Sequence, residues 1–413
     1  MATRINVRSP FYIKATPTVG NLITAQMELY IYTGERLDPP TSSELRYTIS
    51  KAPIGSNNYV VFEISELVRD YLDIEFNGEY DSQCVWVRPT LSIDYTYTSG
   101  QQTENPTPVD YIALDGYTYF EEGARSVGGT EDRLEENIGA LMSNRTIFRI
   151  NDSNVRIPVY APDTRSVAFY YQGTLKRTIR PATLIPPNTS DRIDYVTVSG
   201  SDDTDTYQER VLADGGTLEV SRCLSDFLEN IDVGLVDEVW VTYDLGTDFT
   251  GASSVTSTDD TKTDIIKIKT ADCSRYTPIK VTFVNKYGAL QDLWFRLKST
   301  ETTDVRGESY KRSIFNEGSL DYKTYQHQKQ SFQINGSDRV TMNTGYLNDD
   351  HNAVMEELML SEQVWMTKLT DEELVLPIMP RTKSITYKTS LNDRLANYTI
   401  EFDMAFDKIN NIR

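Results

Sequence analysis

The side chains that most often carry chemistry are few in this sequence, and their spacing does not favour it. The 413-residue chain has two histidines, His327 in Tyr325-Gln326-His327-Gln328 and His351 in Asp349-Asp350-His351-Asn352. Acyl transfer by a Ser-His-Asp set needs an imidazole beside an exposed nucleophile, and no Gly-x-Ser-x-Gly turn supplies one. Triads assemble in space, so spacing alone does not exclude one, but His351 reads as a solvated residue in a first helical turn. Loops of the Gly-x-x-x-x-Gly-Lys or Gly-x-Gly-x-x-Gly type, whose amides cradle phosphate, are absent. Acidic clusters occur at Asp202-Asp203-Thr204-Asp205, Asp259-Asp260 and Asp349-Asp350. Calcium takes roughly six to eight oxygens at ordered loop positions, and none of these has that spacing. They read as solvated loops, with Asp202, Asp203 and Asp205 the candidates if one of them holds a metal. Glycoside hydrolysis needs two carboxylates at a set separation, and 61 acidic residues nominate no pair. Cys84, Cys223 and Cys273 are odd in number and widely spaced. They read as small buried hydrophobes, not as a disulfide framework or a metal set. No catalytic, cofactor-binding or metal residue is assigned, and the chain is read as a non-enzyme with no cofactor.

Composition narrows the partners. A net charge of −20 and a pI of about 4.6 argue against gripping DNA or an anionic membrane face, because phosphate neutralisation needs Lys and Arg. No stretch approaches the ~20 apolar residues that cross a bilayer. The first residues, Met1-Ala2-Thr3-Arg4-Ile5-Asn6, lack the apolar core of a signal peptide, so synthesis in a cytoplasm is expected. Twenty-six tyrosines, with abundant Thr and Val, tilt the chain toward β-structure.

The elements that would position any site are organised around a stretch that occurs twice. Glu63-Ile64-Ser65-Glu66-Leu67-Val68-Arg69-Asp70-Tyr71-Leu72 is echoed by Glu219-Val220-Ser221-Arg222-Cys223-Leu224-Ser225-Asp226-Phe227-Leu228. Each serine sits where a helix N-cap belongs, ahead of apolar residues at helical spacing. The flanks echo too. Val7 to Tyr12 is matched by Val155 to Tyr160, Tyr32-Thr33-Gly34 by Tyr171-Gln172-Gly173, and Val85-Trp86-Val87 by Val239-Trp240-Val241. Offsets drift from 148 to 139 to 156 to 154, as loop insertions would make them.

The expected fold is mostly β: two duplicated β-sandwich domains with a short helix each, then a C-terminal β-rich (α+β) domain. The expected boundaries are 1–123 for the first sandwich, 124–145 for a linker with a short helix near Thr130 to Leu141, 146–276 for the second sandwich and 277–413 for the last domain. Strands are expected near 5–13, 22–32, 45–50, 58–64, 84–95 and 110–119. The polar stretches Thr96 to Asp110 and Gly246 to Asp264 are read as projecting hairpin tips, and Ser199 to Thr206 as a loop peculiar to the second copy. Trp86, Trp240 and Trp294 lie in apolar strands and read as core, whereas Trp365 is undecided. Beyond 277, Ile279, Val281 and Phe283 alternate up to the turn Asn285-Lys286-Tyr287-Gly288, and Leu293 to Leu297 return. Residues 300–345 read as further strands with polar loops. Asp349-Asp350 is read as the cap of a helix bearing Val354, Met355, Leu358, Met359 and Leu360. That helix either faces a partner or packs on its own domain's sheet. Ile385, Tyr387 and Tyr398 to Phe406 close the chain as strand.

Residues 1–275, with about seven short strands per copy and an inward Trp, resemble fibronectin type III or immunoglobulin-type sandwiches, which imply no single function. The hairpin Val281-Thr282-Phe283-Val284-Asn285-Lys286-Tyr287-Gly288 with Trp294-Phe295, and the closing Tyr398-Thr399-Ile400-Glu401-Phe402-Asp403-Met404-Ala405-Phe406, resemble virion structural proteins of tailed bacteriophages of the tail, collar and baseplate type. That resemblance implies a non-enzymatic virion component assembling into a symmetric ring or fibre, partnered by itself and other virion proteins, without direct nucleic-acid contact or membrane insertion. The alternative expectation is a receptor- or glycan-binding protein of the virion surface, contacting a host glycan through its hairpin tips.

Overall fold

A computed structural model describes residues 3–80, 83–98, 100–122, 139–150, 153–160, 164–179, 193–198, 236–243, 262–271, 275–368, 374–384 and 396–409. The echo Glu219 to Leu228, the loop 199–206, Asp202, Asp203, Asp205, Asp259, Asp260, Cys223, Cys273, Ile385, Tyr387 and most of the expected linker helix lie outside the described residues. The chain forms two compact units. The first comprises 1–272 together with 282–292 and 350–361, and the second comprises 273–281, 293–349 and 362–413.

In the first half of the first unit the elements are β1 (Thr3–Asn6), β2 (Tyr12–Ala15), β3 (Asn21–Tyr32), β4 (Leu45–Lys51), β5 (Val60–Glu63), α1 (Ser65–Arg69), β6 (Val85–Tyr97), β7 (Gly100–Glu104) and β8 (Tyr111–Leu114). One sheet runs β1-β8-β6-β3-β4 with β7 on β6, and β2 and β5 pair separately. Strand period dictates which side chains meet. Met27, Leu29 and Ile31 on β3 and Val85 and Val87 on β6 point one way, toward Ile13 on β2, Phe62 on β5 and Val68 on α1. Phe11, fully buried, meets Tyr111 edge to face at 5.4 Å.

The second half repeats the plan with β9 (Thr146–Ile150), β10 (Val155–Tyr160), β11 (Thr164–Tyr171), β12 (Thr174–Ile179), β13 (Ile193–Val198), β14 (Glu238–Tyr243) and β15 (Lys262–Ala271). Its sheet order is β9-β15-β14-β11-β12, with β10 and β13 as the opposing pair. In both halves the first strand lies parallel to the last, β1 on β8 and β9 on β15. Val155, Ile157, Val159, Phe169, Val196, Val239, Val241 and Ile266 fill its core.

Register corrects three details of the sequence reading. Val7 to Tyr12 is mostly the crossing from β1 to β2, whereas Val155 to Tyr160 is all strand, so that echo is not a structural equivalence. Trp86 faces Tyr32 across the β3–β6 ladder, and Trp240 faces Ala168, three residues before Tyr171. Both tryptophans alternate with the inward valines, so neither is inward. Trp86 is nevertheless buried, because the segment after β3 folds over that face, and its indole N–H donates to the Gly34 carbonyl at 3.1 Å. In the second half that segment is a two-residue turn, Gln172-Gly173, with φ of 48° and 73°. Among the described residues nothing so long covers Trp240, which is half-buried and packs at 4.6 Å on Tyr170.

The stretch Thr96 to Asp110 is likewise tighter than expected. β6 runs to Tyr97, β7 returns beside it, and Glu104 accepts from the Thr18 amide at 3.0 Å. Ser65 opens α1 without capping it: its Oγ accepts from the Phe11 amide at 3.3 Å and donates to Glu63, so it ties the helix to the edge of β2.

The remaining elements are β16 (Ile279–Val284), β17 (Leu290–Phe295), β18 (Thr300–Lys311), β19 (Lys329–Leu347), α2 (His351–Leu360), β20 (Val364–Lys368), β21 (Leu374–Pro380) and β22 (Ala396–Met404). The sheet order is β17-β16-β20-β21-β22-β19-β18. The closing strand β22 is interior to that sheet, and Phe402 meets Phe295 edge to face at 5.7 Å. The tip of the β16–β17 hairpin and all of α2 count with the first unit.

Candidate functional site

Among the described residues, two places stand out from ordinary sandwich packing. One is a buried polar centre in the first unit, and the other is an exposed ribbon in the second.

The polar centre is built on the hairpin turn Asn285-Lys286-Tyr287-Gly288. Asn285 has no exposed surface and meets four hydrogen bonds. Its Nδ2 donates to the Leu141 carbonyl at 2.7 Å and to Gln291 Oε1 at 3.0 Å, while its Oδ1 accepts from the amides of Tyr287 at 3.0 Å and Ala289 at 3.1 Å. Gln291 passes the chain on to Asn144 Oδ1 at 2.9 Å. Tyr195 of the second half accepts from the Leu290 amide at 2.9 Å, and Tyr80 of the first half donates to Asp292 at 2.6 Å. Burial and the Asp292 carboxylate both push the Tyr80 phenol well up, so it stays a donor. Gly288 has φ of +78°, and a Cβ there would stand 2.9 Å from the backbone nitrogens of Asp115 and Gly116. The turn thus stitches both halves of the unit together.

α2 completes this centre. Val354, Met355, Glu357 and Leu358 are buried, and only Leu360 of the expected apolar face is exposed. The helix packs within its own chain, so its expected face is not free for a partner. Glu357 shares that buried face; burial pushes its carboxyl up to about 7, against the opposing pull of the Ser143 hydroxyl and the Lys286 amide. Asp350 does not cap α2 with its side chain. It accepts from the Arg145 amide at 3.1 Å and lies 2.9 Å from His351 Nδ1. Burial would raise its carboxyl, but the contacts with His351 and Arg145 outweigh that and hold it low. His351 is 2% exposed and packs at 5.7 Å on Phe148, so the solvated reading of this residue is wrong. Burial against Phe148, a residue 203 positions away, is a contact that local sequence cannot reveal.

The exposed ribbon is formed by β18 and β19. Their ladder runs from Thr300↔Thr341 to Lys311↔Lys329. β22 leaves β19 after Arg339↔Asp403. From Val305 to Ile334 the two strands therefore have only each other as ladder partners among the described residues. The base is pinned by Arg339, which bonds Asp304 at 2.8 Å and Asp403 at 3.1 Å. A bulge lies opposite Gly307, where Gln333 has φ of 50° and a Cβ on Gly307 would meet Ile334 at 3.0 Å. Beyond it Tyr310 packs on Phe332 at 5.6 Å and reaches Gln330 at 3.0 Å. Further out, Phe315, Leu320, Tyr322 and Tyr325 are 50%, 77%, 63% and 73% exposed. That concentration of large apolar groups in water is what an unfilled contact surface looks like. His327 is exposed here, and its carbonyl accepts from Arg312 Nε at 3.1 Å.

Of the expected core residues, Cys84, Trp86 and Trp294 are buried and Trp240 is not; Trp365, undecided from the sequence, is buried. Among the described residues, no three His, Cys, Asp or Glu side chains converge as metal ligands. The polar centre and the ribbon both escaped the sequence reading. Gln291 and Asp292 inside an otherwise apolar strand, and Glu357 three residues from Val354, were signals of the first. Aromatics without strand or helix period over 305–334 were the signal of the second. No helix among the described residues is long and apolar enough to cross a membrane. No protein-family model, curated protein or solved structure matches the chain.

Proposed function

We propose that the chain is a non-enzymatic structural component of a tailed-phage virion, in the tail, neck/collar or baseplate, assembling with itself and with neighbouring virion proteins after synthesis in the host cytoplasm. The observation that carries this reading is the ribbon over 305–334, whose aromatic side chains are exposed although ordinary folding would bury them. A two-stranded ribbon is marginal in water on its own, and contact with another surface is the usual remedy. The buried polar centre fits the same reading. Its amides and hydroxyls bond one another and link both halves of the first unit, which is work for a scaffold.

The test is to replace residues 312–328 by Asn-Gly and follow incorporation into particles. Loss of incorporation, with unchanged folding of the free chain, is expected. Full incorporation would sink the reading. The alternative, a receptor- or glycan-binding protein, draws on the β6–β7 hairpin, where Tyr97 is 49% exposed. It expects a Tyr97→Ala chain to assemble normally and lose host adsorption.

A further inference from the structure

We propose that the ribbon over 305–334 is the element by which one copy of this chain grips the acidic body of a second copy. The inference deepens the assembly role above and rests on it, naming the occupant of the ribbon's exposed surface.

Charge selects the occupant. Residues 305–334 hold five basic side chains (Arg306, Lys311, Arg312, Lys323, Lys329) and three acidic ones (Glu308, Glu317, Asp321), a net +2. The whole chain carries −20, so everything outside the ribbon carries −22. A cationic, aromatic ribbon on an anionic body is complementary to another molecule of itself, and like bodies would otherwise repel. A surplus of two charges is too small to drive phosphate binding, whose strength grows with each cation placed on the backbone.

The apolar part supplies the anchors. Tyr322 and Tyr325 flank Lys323, whose Nζ lies 5.8 Å from the Tyr325 ring centre, and all three are exposed. Tyrosine is among the side chains that most often carry the energy of a protein contact. At the root, the ion pairs of Arg339 and the Lys408–Asp338 pair at 2.6 Å fix the base from which the ribbon projects. Contact through two different surfaces, ribbon on body, is heterologous, and repeated copies close into a ring or extend as a fibre.

The experiment is sedimentation velocity of the full chain at about 10 mM and about 150 mM salt, where the Debye length falls from about 30 Å to about 8 Å. Two full-chain variants accompany it: K311E/K323E/K329E, which turns the ribbon's charge negative, and Y322S/Y325S, which removes its exposed rings. Unchanged urea midpoints certify both folds. The parent should self-associate, more weakly at the higher salt, and each variant should weaken association by about ten-fold or more. A parent that stays monomeric at both salts, or variants that associate as tightly as the parent, would overturn the inference. Incorporation of K311E/K323E/K329E into particles separates the two ideas. If self-association does not need the ribbon but incorporation does, the ribbon grips another virion protein and only the inference fails. If incorporation also survives, the assembly reading of the ribbon fails with it.

Discussion

Two consecutive hairpins of this chain meet opposite fates. The turn between β16 and β17 is polar in sequence, Asn285-Lys286-Tyr287-Gly288, and is buried to the point that Asn285 has no exposed surface. The stretch between β18 and β19 is rich in aromatics, and Leu320, Tyr322 and Tyr325 stand in water. Hydrophobicity alone would assign them the other way round. Satisfaction of hydrogen bonds decides the first case, since every polar atom of the Asn285 amide finds a partner of the right kind. Position decides the second, since Leu320, Tyr322 and Tyr325 lie beyond the ladder ends at Lys311 and Lys329, and among the described residues no third strand pairs with the ribbon there.

The contrast can be broken at the buried turn first. Gly288→Val puts a branched side chain at φ +78° and 2.9 Å from two backbone nitrogens, neither of which can retreat. A loss of more than about 3 kcal/mol is expected, read as a lower urea midpoint of the first unit's transition. Asn285→Ala removes one side chain and strands partners at Leu141, Gln291, Tyr287 and Ala289. The expected cost is about 3 kcal/mol, while a variant unfolding at the parent's midpoint would show that the network is ornamental.

Glu357 sharpens the comparison through pH. Its folded pKa, about 7, lies above the 4.5 of an unburied glutamate, so the fold favours the protonated acid. That contribution is fully present below about pH 4.5 and is lost as pH rises to about 7. Glu357→Gln should therefore match the parent near pH 4.5 and exceed it above pH 7 by on the order of 3 kcal/mol. Parallel stability curves from pH 4 to 8 would refute the buried-acid account. The smallest stability effect belongs to the ribbon. Y322S/Y325S should change the unfolding free energy, read by urea titration, by no more than about 0.5 kcal/mol, because these rings touch water in the free chain. A large loss there would mean that the rings are packed, and the two hairpins would no longer differ.

Legibility in the sequence followed the range of the interaction. Alternation in Met27-Glu28-Leu29-Tyr30-Ile31 and in Tyr398 to Met404 was enough to place β3 and β22, because side-chain alternation is a property of the strand itself. The duplicated sandwich was legible through Trp86 and Trp240, although one flanking echo had no structural counterpart. The fate of those same tryptophans was not legible. Trp86 is covered by the long segment after β3, whereas the two-residue turn at Gln172-Gly173 leaves Trp240 half-buried. His351 and Asp350 look like a polar helix start and are instead a buried pair against Phe148 and the Arg145 amide.

By itself, then, the sequence determined the β class, the repeated plan, the stem of the β16–β17 hairpin and the closing strand, since local periodicity and turn chemistry carry all four. Tertiary structure alone decided which hairpin is buried, that α2 belongs with the first unit, that Glu357 is buried beside Ser143 and that, among the described residues, the ribbon has no third strand. Each of those depends on which distant segment arrives to complete a hydrogen bond or cover a face, and no window of neighbouring residues contains that information.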